Sequence, residues 1–470
     1  MSEYSDFLVA KEPTVQPRGF EARLLNRHLF GWQAQLVRWA LRLGSAALFE
    51  DCGLGKTLQQ LAWADAVVRH TKGSVLILTP LAVAAQTIRE AERFNVDGVC
   101  YARNRAEASG RIVVTNYERL DEFQPSDYAG VVLDESSILK SFMGKTKRAL
   151  VEAFRDTPFR LACTATPSPN DVMELGNHCE FLGVMDSHEM LARWFINDTM
   201  AAGKYRLKAH AEADFWRWVV SWASCIATPS DLLDEDGLPH DAAGYDLPGL
   251  EVIEHIVDGP APESMGDDLV HAPVLTATTL HREMRRTVVE RAARAAELAR
   301  AEPGEPWVMW CNTDYEADAL MAALPGAVEV RGSHRAEVKI DRLRAFSEGN
   351  VGVLITKPSI AGFGLNWQHA ARMAFVGLSY SYEQFYQALR REYRFGQERT
   401  VHAHVICART ESGVRSTIAR KQEEHRRLQS RMVEMQRHVR QVDARGAARV
   451  ALDPGNHDVE LPSWLTGRVG

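Results

Sequence analysis

Several features that define whole classes of protein are missing from this sequence of 470 residues. It has no run of 18 or more apolar residues, which argues against a membrane-spanning helix. The seven cysteines are scattered and none belongs to a C-x-x-C pair, so neither a disulfide framework nor a structural zinc site is expected. An H-E-x-x-H spacing is also absent, and a catalytic zinc therefore has no support.

An excess of positive charge is missing as well. The formal net charge is −7, which argues against a surface that is basic all over. A local basic groove remains compatible with this value, because clustering and not the sum sets the electrostatic footprint. Residues 1–11 carry acidic side chains and lack the basic region and apolar run of a secretory signal. We therefore expect a cytoplasmic protein without membrane contact.

The sequence does contain a regular series of short β-rich runs, and a longer amphipathic stretch follows most of them. The runs lie at residues 75–79, 112–115, 130–134 and 160–164 in the first half, and at 307–311, 328–331, 351–356, 373–376 and 402–406 in the second. Such alternation predicts βαβ units. The predicted fold class is therefore α/β, with two parallel sheets flanked by helices.

The region between the two series differs from both. Four tryptophans occur there in helical spacing, and we expect a packed core from them rather than a platform for stacked bases: Trp194, Trp216, Trp218 and Trp222. An acidic stretch with Gly and Pro follows. We predict an N-terminal segment (1–28), a first lobe (29–186), a helical extension with linker (187–246), a second lobe (247–410) and a basic helix with a tail (411–470).

Two segments near the lobes carry weaker expectations. Residues 258–267 contain two prolines and predict a loop. The helical pattern of residues 415–449 is rich in Arg and Lys. This basic helix either lies along nucleic-acid phosphates or instead braces the two lobes or forms a coiled contact, and the sequence favours neither reading. The last twenty residues predict a poorly ordered end.

Residues 50–57 read E-D-C-G-L-G-K-T and form the strongest local signal. They lie between an apolar run (46–49) and a helical pattern (58–68), the context that a phosphate-binding loop requires. The pattern G-x-x-x-x-G-K-[ST] fails at its first position, where Glu50 stands, and a surface turn is the alternative. We predict ATP as the ligand, bound by Gly53, Gly55, Lys56 and Thr57, with Lys56 on the β- and γ-phosphates and Thr57 also on Mg²⁺.

Residues 131–137 read V-V-L-D-E-S-S, an apolar strand that ends in two carboxylates. Ligands of a doubly wound sheet lie at the carboxyl ends of its strands. We predict that Asp134 holds Mg²⁺ through coordinated water and that Glu135 orients and polarises the attacking water. The alternative is a strand end followed by a helix cap.

With these two motifs in place, residues 29–408 resemble superfamily 2 helicases, in particular the Swi/Snf-type ATPases and their short phage and bacterial DEAD/DEAH-like relatives. The resemblance implies two tandem RecA-like lobes with ATP in the cleft between them. F-G-W-Q at residues 30–33 resembles the adenine-contacting Q element and assigns Trp32 and Gln33 to nucleotide binding. T-A-T-P-S-P-N at residues 164–170 is similar to motif III.

Further motifs of the family imply contacts with the nucleic-acid backbone. T-P-L at residues 79–81 is similar to motif Ia, and T-N-Y-E at residues 115–118 resembles motif Ib. Residues 356–366 are similar to motif V, with three extra residues and with W-Q-H following, which favours the phage-like relatives. The contacts that the resemblance implies are Thr79, Pro80, Thr115, Thr356, Lys357 and Asn366.

Residues 387–397 read Q-A-L-R-R-E-Y-R-F-G-Q and resemble motif VI, Q-A-x-x-R-x-x-R-[IF]-G-Q. Arg391 and Arg394 are three residues apart and share a helical face. In the family this face meets the nucleotide, and an arginine finger raises the rate by roughly 10³–10⁵ in related systems. The resemblance assigns both arginines to catalysis and Gln387 to nucleotide binding. A solvated basic helix is the alternative.

Together these motifs predict an ATP-dependent DNA translocase or helicase of the bacterial cytosol, encoded by a phage or a bacterium. Duplex DNA is the favoured partner, with single-stranded DNA as a further candidate. Two alternatives stay open: a strand-separating DNA or RNA helicase, and a nucleotide-switched module that binds nucleic acid and turns ATP over slowly.

Overall fold

Two parallel β-sheets, each covered by helices on both faces, form the frame of the molecule. The structure is a computed structural model that describes residues 15–197, 205–259, 282, 284–361 and 365–444. Its sheets have seven and six strands, and all strand pairs within them are parallel. The predicted α/β fold class with two lobes is therefore confirmed.

The first lobe is built on the seven-stranded sheet, in the order β3-β4-β2-β5-β6-β1-β9. Its strands, with the antiparallel pair β7–β8 beside them, are β1 (Ser45–Glu50), β2 (Ser74–Thr79), β3 (Val99–Tyr101), β4 (Ile112–Asn116), β5 (Tyr128–Asp134), β6 (Phe159–Cys163), β7 (Phe195–Asn197), β8 (Tyr205–Leu207) and β9 (Ala223–Ile226). The central strands are apolar on both faces because helices cover both faces. The helices are α1 (Gly31–Leu43), α2 (Lys56–Thr71), α3 (Leu81–Arg93), α4 (Lys145–Ala153), α5 (Leu175–Leu182), α6 (Ser187–Trp194) and α7 (Glu212–Val220).

The region predicted as a helical extension with linker needs a correction. It contains helices α6 and α7, but it also contributes β9, which pairs with β1 in the first sheet through Ala47 and Ala223. A short run of small and apolar residues after a helix gave no β signal of its own. The four tryptophans of this region are buried in the core of the first lobe, which confirms that part of the prediction: Trp194, Trp216, Trp218 and Trp222.

The second lobe is built on the six-stranded sheet, in the order β10-β15-β14-β11-β13-β12. Its strands are β10 (Leu250–Val257), β11 (Trp307–Trp310), β12 (Val328–Val330), β13 (Val353–Thr356), β14 (Arg372–Phe375) and β15 (Val401–Ala408). Its helices are α8 (Val288–Ala301), α9 (Asp314–Ala323), α10 (Ala336–Ser347), α11 (Pro358–Ala361) and α12 (Tyr382–Leu389).

A final helix of 33 residues, α13 (Ser412–Ala444), joins the two lobes. Near its start Val414 and Ile418 lie in the core of the second lobe. Further along, Leu428 and Met432 lie in the core of the first. Of the roles that the sequence left open for this basic helix, the structure shows the brace between lobes.

The side chains of α13 also make polar contacts with both lobes. Lys421 Nζ donates to Asn170 Oδ1 of the first lobe (2.9 Å) and to the carbonyl of Tyr380 in the second (3.1 Å). Gln436 Oε1 accepts from Ser224 Oγ (2.9 Å) and from the backbone N–H of Cys225 (3.0 Å). The helix is therefore held to the edge strand β9 by backbone as well as side-chain groups.

The nine predicted strands all occur, with ends that differ by one or two residues. The predicted loop at residues 258–267 lies outside the described residues except for Asp258 and Gly259, as do the last twenty residues and residues 1–14 of the N-terminal segment. Among the residues that the structure describes, no helix combines the length and apolar character needed to cross a membrane.

Candidate functional site

The phosphate-binding loop connects β1 to α2 at the edge of the first sheet. Gly53 and Gly55 have φ angles of 92° and 76°, which side chains other than glycine rarely adopt. A Cβ atom on Gly55 would lie 2.6 Å from Gln33 Nε2, and one on Gly53 would lie 2.9 Å from the backbone nitrogen of Phe395. The loop therefore fits tightly between the Q element and the segment that follows α12.

Lys56 and Thr57 form the first turn of α2, where unpaired backbone N–H groups and the helix dipole favour anions. Lys56 Nζ donates to the loop carbonyls of Glu50 (2.8 Å) and Asp51 (3.0 Å). The side chain of Lys56 thus lies along the inside of the loop. This cradle of glycines and helix N-terminus fits a phosphate chain.

Glu50, the residue that breaks the sequence pattern, is accommodated below the loop. Its carboxylate accepts a hydrogen bond of 2.7 Å from Gln59 of α2. Burial raises the pKa of Glu50 to about 7, against the opposing effect of Lys56. Glu50, in place of the first glycine, therefore supports the loop through its hydrogen bond with Gln59. The two later glycines of the loop keep their positions.

Asp134 ends β5 beside the loop, and both of its carboxylate oxygens are held by hydrogen bonds. Oδ1 accepts from Gln60 Nε2 (2.7 Å) and Oδ2 accepts from Thr79 Oγ1 (3.1 Å). The hydroxyl of Tyr117 donates to its backbone carbonyl (2.7 Å). Burial raises the pKa of the Asp134 carboxyl. A fixed, buried carboxylate near a lysine fits a hard divalent cation.

Glu135 follows in a left-handed backbone conformation, with φ 55°. A non-glycine residue in this region is strained, and such strain is typical of functional sites. Its side chain is buried, and Gln387 Nε2 of the second lobe lies 3.4 Å from Glu135 Oε2. Burial and the neighbouring Asp134 raise the pKa of Glu135 to about 7, the range suited to a general base at neutral pH.

Helix α12 and the turns that follow it bring the motif VI residues to the same place from the second lobe. Gln387 lies on the helix, whereas Arg391 and Arg394 lie in the turns, which corrects the prediction that the two arginines share a helical face. Gln387 is fully buried, and its Oε1 lies 3.8 Å from Cys52 Sγ in the phosphate loop. Arg391 donates to the Gln387 side chain (3.1 Å) and to the carbonyl of Leu365 (3.1 Å). Arg394 also donates to Leu365 (3.2 Å). Both arginines are therefore anchored beside the cleft by one carbonyl of motif V.

The Q element is fixed on the loop by both ends of one amide. Gln33 Nε2 donates to the carbonyl of Leu54 (2.8 Å), and its Oε1 accepts from the backbone N–H of Phe30 (3.0 Å). Trp32 is buried, with its ring 5.9 Å from that of Tyr245. Of the predicted pair, Gln33 thus lies against the phosphate loop and Trp32 packs beside Tyr245.

Tyr245 is a site residue that the sequence did not reveal. Its ring lies 4.6 Å from that of Phe395, and together with Trp32 it forms an aromatic wall beside the loop. Burial, with a smaller effect of Glu50, raises the pKa of the Tyr245 phenol to about 12. Tyr245 lies in the stretch predicted as a linker, and no local pattern indicated that it folds back over the site.

The predicted nucleic-acid contacts divide into two groups. Thr79, Thr115 and Thr356 are almost completely buried, so their side chains cannot reach a nucleic-acid backbone in this conformation. Thr79 and Thr356 end their strands and Thr115 lies one residue before the end of β4, so contacts of these three residues with nucleic acid stay a prediction. Pro80 is partly exposed and Asn366 is exposed, whereas Lys357 forms an ion pair with Asp314 (2.7 Å).

Comparison with known proteins relates part of the chain to one family. A family model for the SNF2-related domain matches residues 32–213, the segment that contains the phosphate loop, Asp134 and Glu135. Over this segment the chain is similar to SNF2-related proteins. The match supports the predicted resemblance to Swi/Snf-type proteins over this segment.

Individual relatives are distant and much longer. The chromatin-remodeling ATPase INO80 of Drosophila melanogaster is 26% identical over 227 residues, which cover 42% of this chain and 13% of that protein. The SWI/SNF chromatin-remodeling complex subunit snf22 of Schizosaccharomyces pombe is 24% identical over 208 residues, 39% of this chain and 12% of its own length. The chain thus matches only a small part of each relative.

A solved structure, the Sulfolobus solfataricus SWI2/SNF2 ATPase core in complex with dsDNA, is 19% identical with a TM-score of 0.39. The match covers 84% of this chain and 90% of that one.

Proposed function

We propose that this SNF2-related chain is a translocase that couples ATP hydrolysis in the interlobe cleft to movement along duplex DNA. The observation that carries the proposal is the meeting of two half-sites. Gln387 of the second lobe lies 3.8 Å from Cys52 of the phosphate loop and 3.4 Å from Glu135. Residues of both lobes thus surround one site, so hydrolysis there can change how the lobes fit together.

The site residues take the following roles in this proposal. Lys56 and the glycines of the loop bind the phosphates, and Trp32 and Gln33 border the base. Thr57 and Asp134 would hold Mg²⁺, which neutralises phosphate charge when bound. Glu135 accepts the proton of the attacking water. Arg391 and Arg394 stabilise the charge that develops on the phosphates, and Gln387 orients Arg391 through its side-chain oxygen.

The division of the chain is part of the same proposal. The predicted lobes at residues 29–186 and 247–410 are retained, with the strand β9 added to the first. The brace α13 contacts both lobes and transmits their relative movement. Repeated closure and opening, with a different grip on the DNA backbone in each state, then produces stepping.

Duplex DNA is the proposed track because the relatives named above are chromatin-remodelling proteins. The side chains left to contact a backbone are those that stay accessible near the strand ends, such as Pro80 and Asn366. Contacts of this kind position a protein on DNA without reading its bases.

Steady-state ATP hydrolysis tests the proposal most directly. The purified chain would be assayed without polymer, with single-stranded DNA, with duplex DNA and with RNA at matched salt. We expect duplex DNA to stimulate turnover most, and Lys56→Ala and Glu135→Gln to abolish it while leaving thermal unfolding unchanged. A stronger response to single strands or RNA would favour a strand-separating helicase, and no response to any polymer would favour a nucleotide-switched binding module.

Displacement of a triplex-forming third strand then distinguishes movement from strand separation. A duplex translocase displaces the third strand while the underlying duplex stays paired. Unwinding of the duplex itself, without prior displacement, would contradict the proposed mode of action.

A further inference from the structure

A second set of contacts joins the lobes through residues that are not assigned to the nucleotide. Asp51, in the phosphate loop, accepts a hydrogen bond from the hydroxyl of Tyr386 and forms an ion pair with Arg390 Nη2 at 2.6 Å. Arg390 Nη2 also donates to the carbonyl of Cys52 (3.1 Å). One carboxylate of the first lobe is thus bound by two side chains of the second.

This cluster is shielded from water. The side chains of Arg390 and Asp51 are 9% and 15% exposed. The rings of Tyr386 and Tyr393 lie 5.8 Å and 5.3 Å from the guanidinium carbon of Arg390. An ion pair with so little solvent around it is weakly screened, and removal of one partner leaves a buried charge without compensation.

Arg390 and Arg391, which are neighbours at the end of α12, therefore contact different groups. Arg390 binds the phosphate loop, whereas Arg391 turns to Gln387 and to the carbonyl of Leu365. In the motif VI pattern Arg390 occupies a variable position, so the family resemblance gives it no role. Its contacts fix where the end of α12 lies relative to the loop, and with it where Arg391 lies.

We infer that Asp51, Tyr386 and Arg390 form an interlobe latch that positions Arg391 and Gln387 against the phosphate loop. The three are positioning residues, since they hold the loop and α12 together through protein groups alone. The inference rests on the proposed ATPase function, because turnover is one of its readouts. A latch of this kind acts on the transition state more than on ATP binding, since Lys56 and the loop glycines remain intact.

The test uses single and paired substitutions in the full chain. Tyr386→Phe removes one hydroxyl, Asp51→Asn removes the charge of the carboxylate, and Arg390→Met keeps the length of the side chain without its charge. Arg399→Met is the matched control, because Arg399 pairs with Glu305 within the second lobe, 2.7 Å away. ATP turnover would be measured with saturating duplex DNA, together with thermal unfolding of each variant.

We expect Arg390→Met to lower kcat roughly 30-fold or more, as for loss of one partner of a buried ion pair, with little change in KM for ATP. Tyr386→Phe should lower kcat less, and Arg399→Met should leave it unchanged. The variant with both Asp51→Asn and Arg390→Met should be no worse than Arg390→Met alone, because neither charge is then left unpaired. Independent effects that multiply in the double variant would overturn the latch, as would a rise in KM with unchanged kcat.

Small-angle X-ray scattering gives a readout that needs no turnover. The wild type and Arg399→Met should share one radius of gyration, and Arg390→Met should be larger, since its lobes lose a shared contact. If the wild type hydrolysed no ATP, the proposed function would be wrong, but the radius of gyration would still test the latch. An unchanged radius in Arg390→Met and Tyr386→Phe would overturn the latch even in an active enzyme.

Discussion

The side-chain amide of Gln60 donates a hydrogen bond of 2.7 Å to the carboxylate of Asp134, linking the helix after the phosphate loop to the strand that carries the acidic pair. Gln60 lies four residues after Lys56, on the same face of α2. Thr79 holds the other carboxylate oxygen. Two donors from different elements therefore fix the direction of the group proposed to hold Mg²⁺.

Gln60→Leu is expected to weaken the apparent affinity for Mg²⁺ in ATP turnover by roughly 10- to 100-fold, the usual effect of removing a partner that orients a metal-binding group. Titration of Mg²⁺ at saturating ATP measures it. Thr87→Val is the control, because Thr87 is equally buried but donates to Val83 within α3. An unchanged Mg²⁺ dependence in Gln60→Leu would exclude a role of this amide in placing Asp134.

Glu135 predicts a specific pH dependence. Burial and Asp134 raise its pKa to about 7, and a general base must be deprotonated, so kcat/KM should rise between pH 6 and pH 8. Glu135→Asp should shift this acid limb, whereas Glu174→Gln should leave it in place. Glu174 is the informative control because burial raises its pKa to about 7 as well. If the acid limb of kcat/KM disappeared in Glu174→Gln, the titrating carboxyl would be that of Glu174 and not that of Glu135.

The sequence predicted what local patterns encode and missed what distant contacts create. Most strands of both sheets were predictable because each is an apolar run that ends at turn residues, whereas β3 and β10 were not predicted from such runs. Strand β9 was not, since it is a strand by virtue of pairing with β1, more than 170 residues earlier. Tyr245 and Arg390 were missed for the same reason: their contacts lie on segments that the chain brings together only in the folded state.

Tyr245→Ala is expected to raise KM for ATP roughly threefold to tenfold, with kcat little changed. Its ring contacts Phe395 and Trp32, and an aromatic contact of this kind contributes about 0.5–1.5 kcal/mol beyond the burial of its area. Tyr245→Phe keeps the ring and should retain the KM of the wild type. Should the phenylalanine variant match the alanine one, the hydroxyl near Glu50 would be the important group and the aromatic wall would not.

The brace between the lobes predicts where α13 matters for stability. Met432→Ala should lower the free energy of unfolding by about 2–5 kcal/mol, because this side chain is fully buried in the core of the first lobe. Met143→Ala, at a methionine that is 68% exposed, should stay within about 0.5 kcal/mol. Denaturant unfolding compares the two, and equal effects would mean that α13 does not stabilise the first lobe.

Glu392, in motif VI, gives the last prediction. Its side chain is completely buried, and in the described part of the chain neither carboxylate oxygen has a hydrogen-bond partner. Burial raises its pKa well above the usual value. The folded state therefore keeps this carboxyl protonated at pH values where the unfolded chain, with a pKa of about 4.3, has lost the proton.

Folding then takes up a proton, so the Glu392 carboxyl makes the wild type less stable as the pH rises above about 4.3. The loss is up to about 1.4 kcal/mol for each pH unit, until the pH passes the pKa of Glu392 in the folded state. Glu392→Gln cannot ionise and should gain stability relative to the wild type between pH 6 and pH 8. Any packing cost of the amide is the same at both pH values and cancels in the difference. Glu398→Gln, an exposed neighbour, should show no such gain. Parallel unfolding curves for Glu392→Gln and the wild type across this range would mean that Glu392 is ionised inside the lobe.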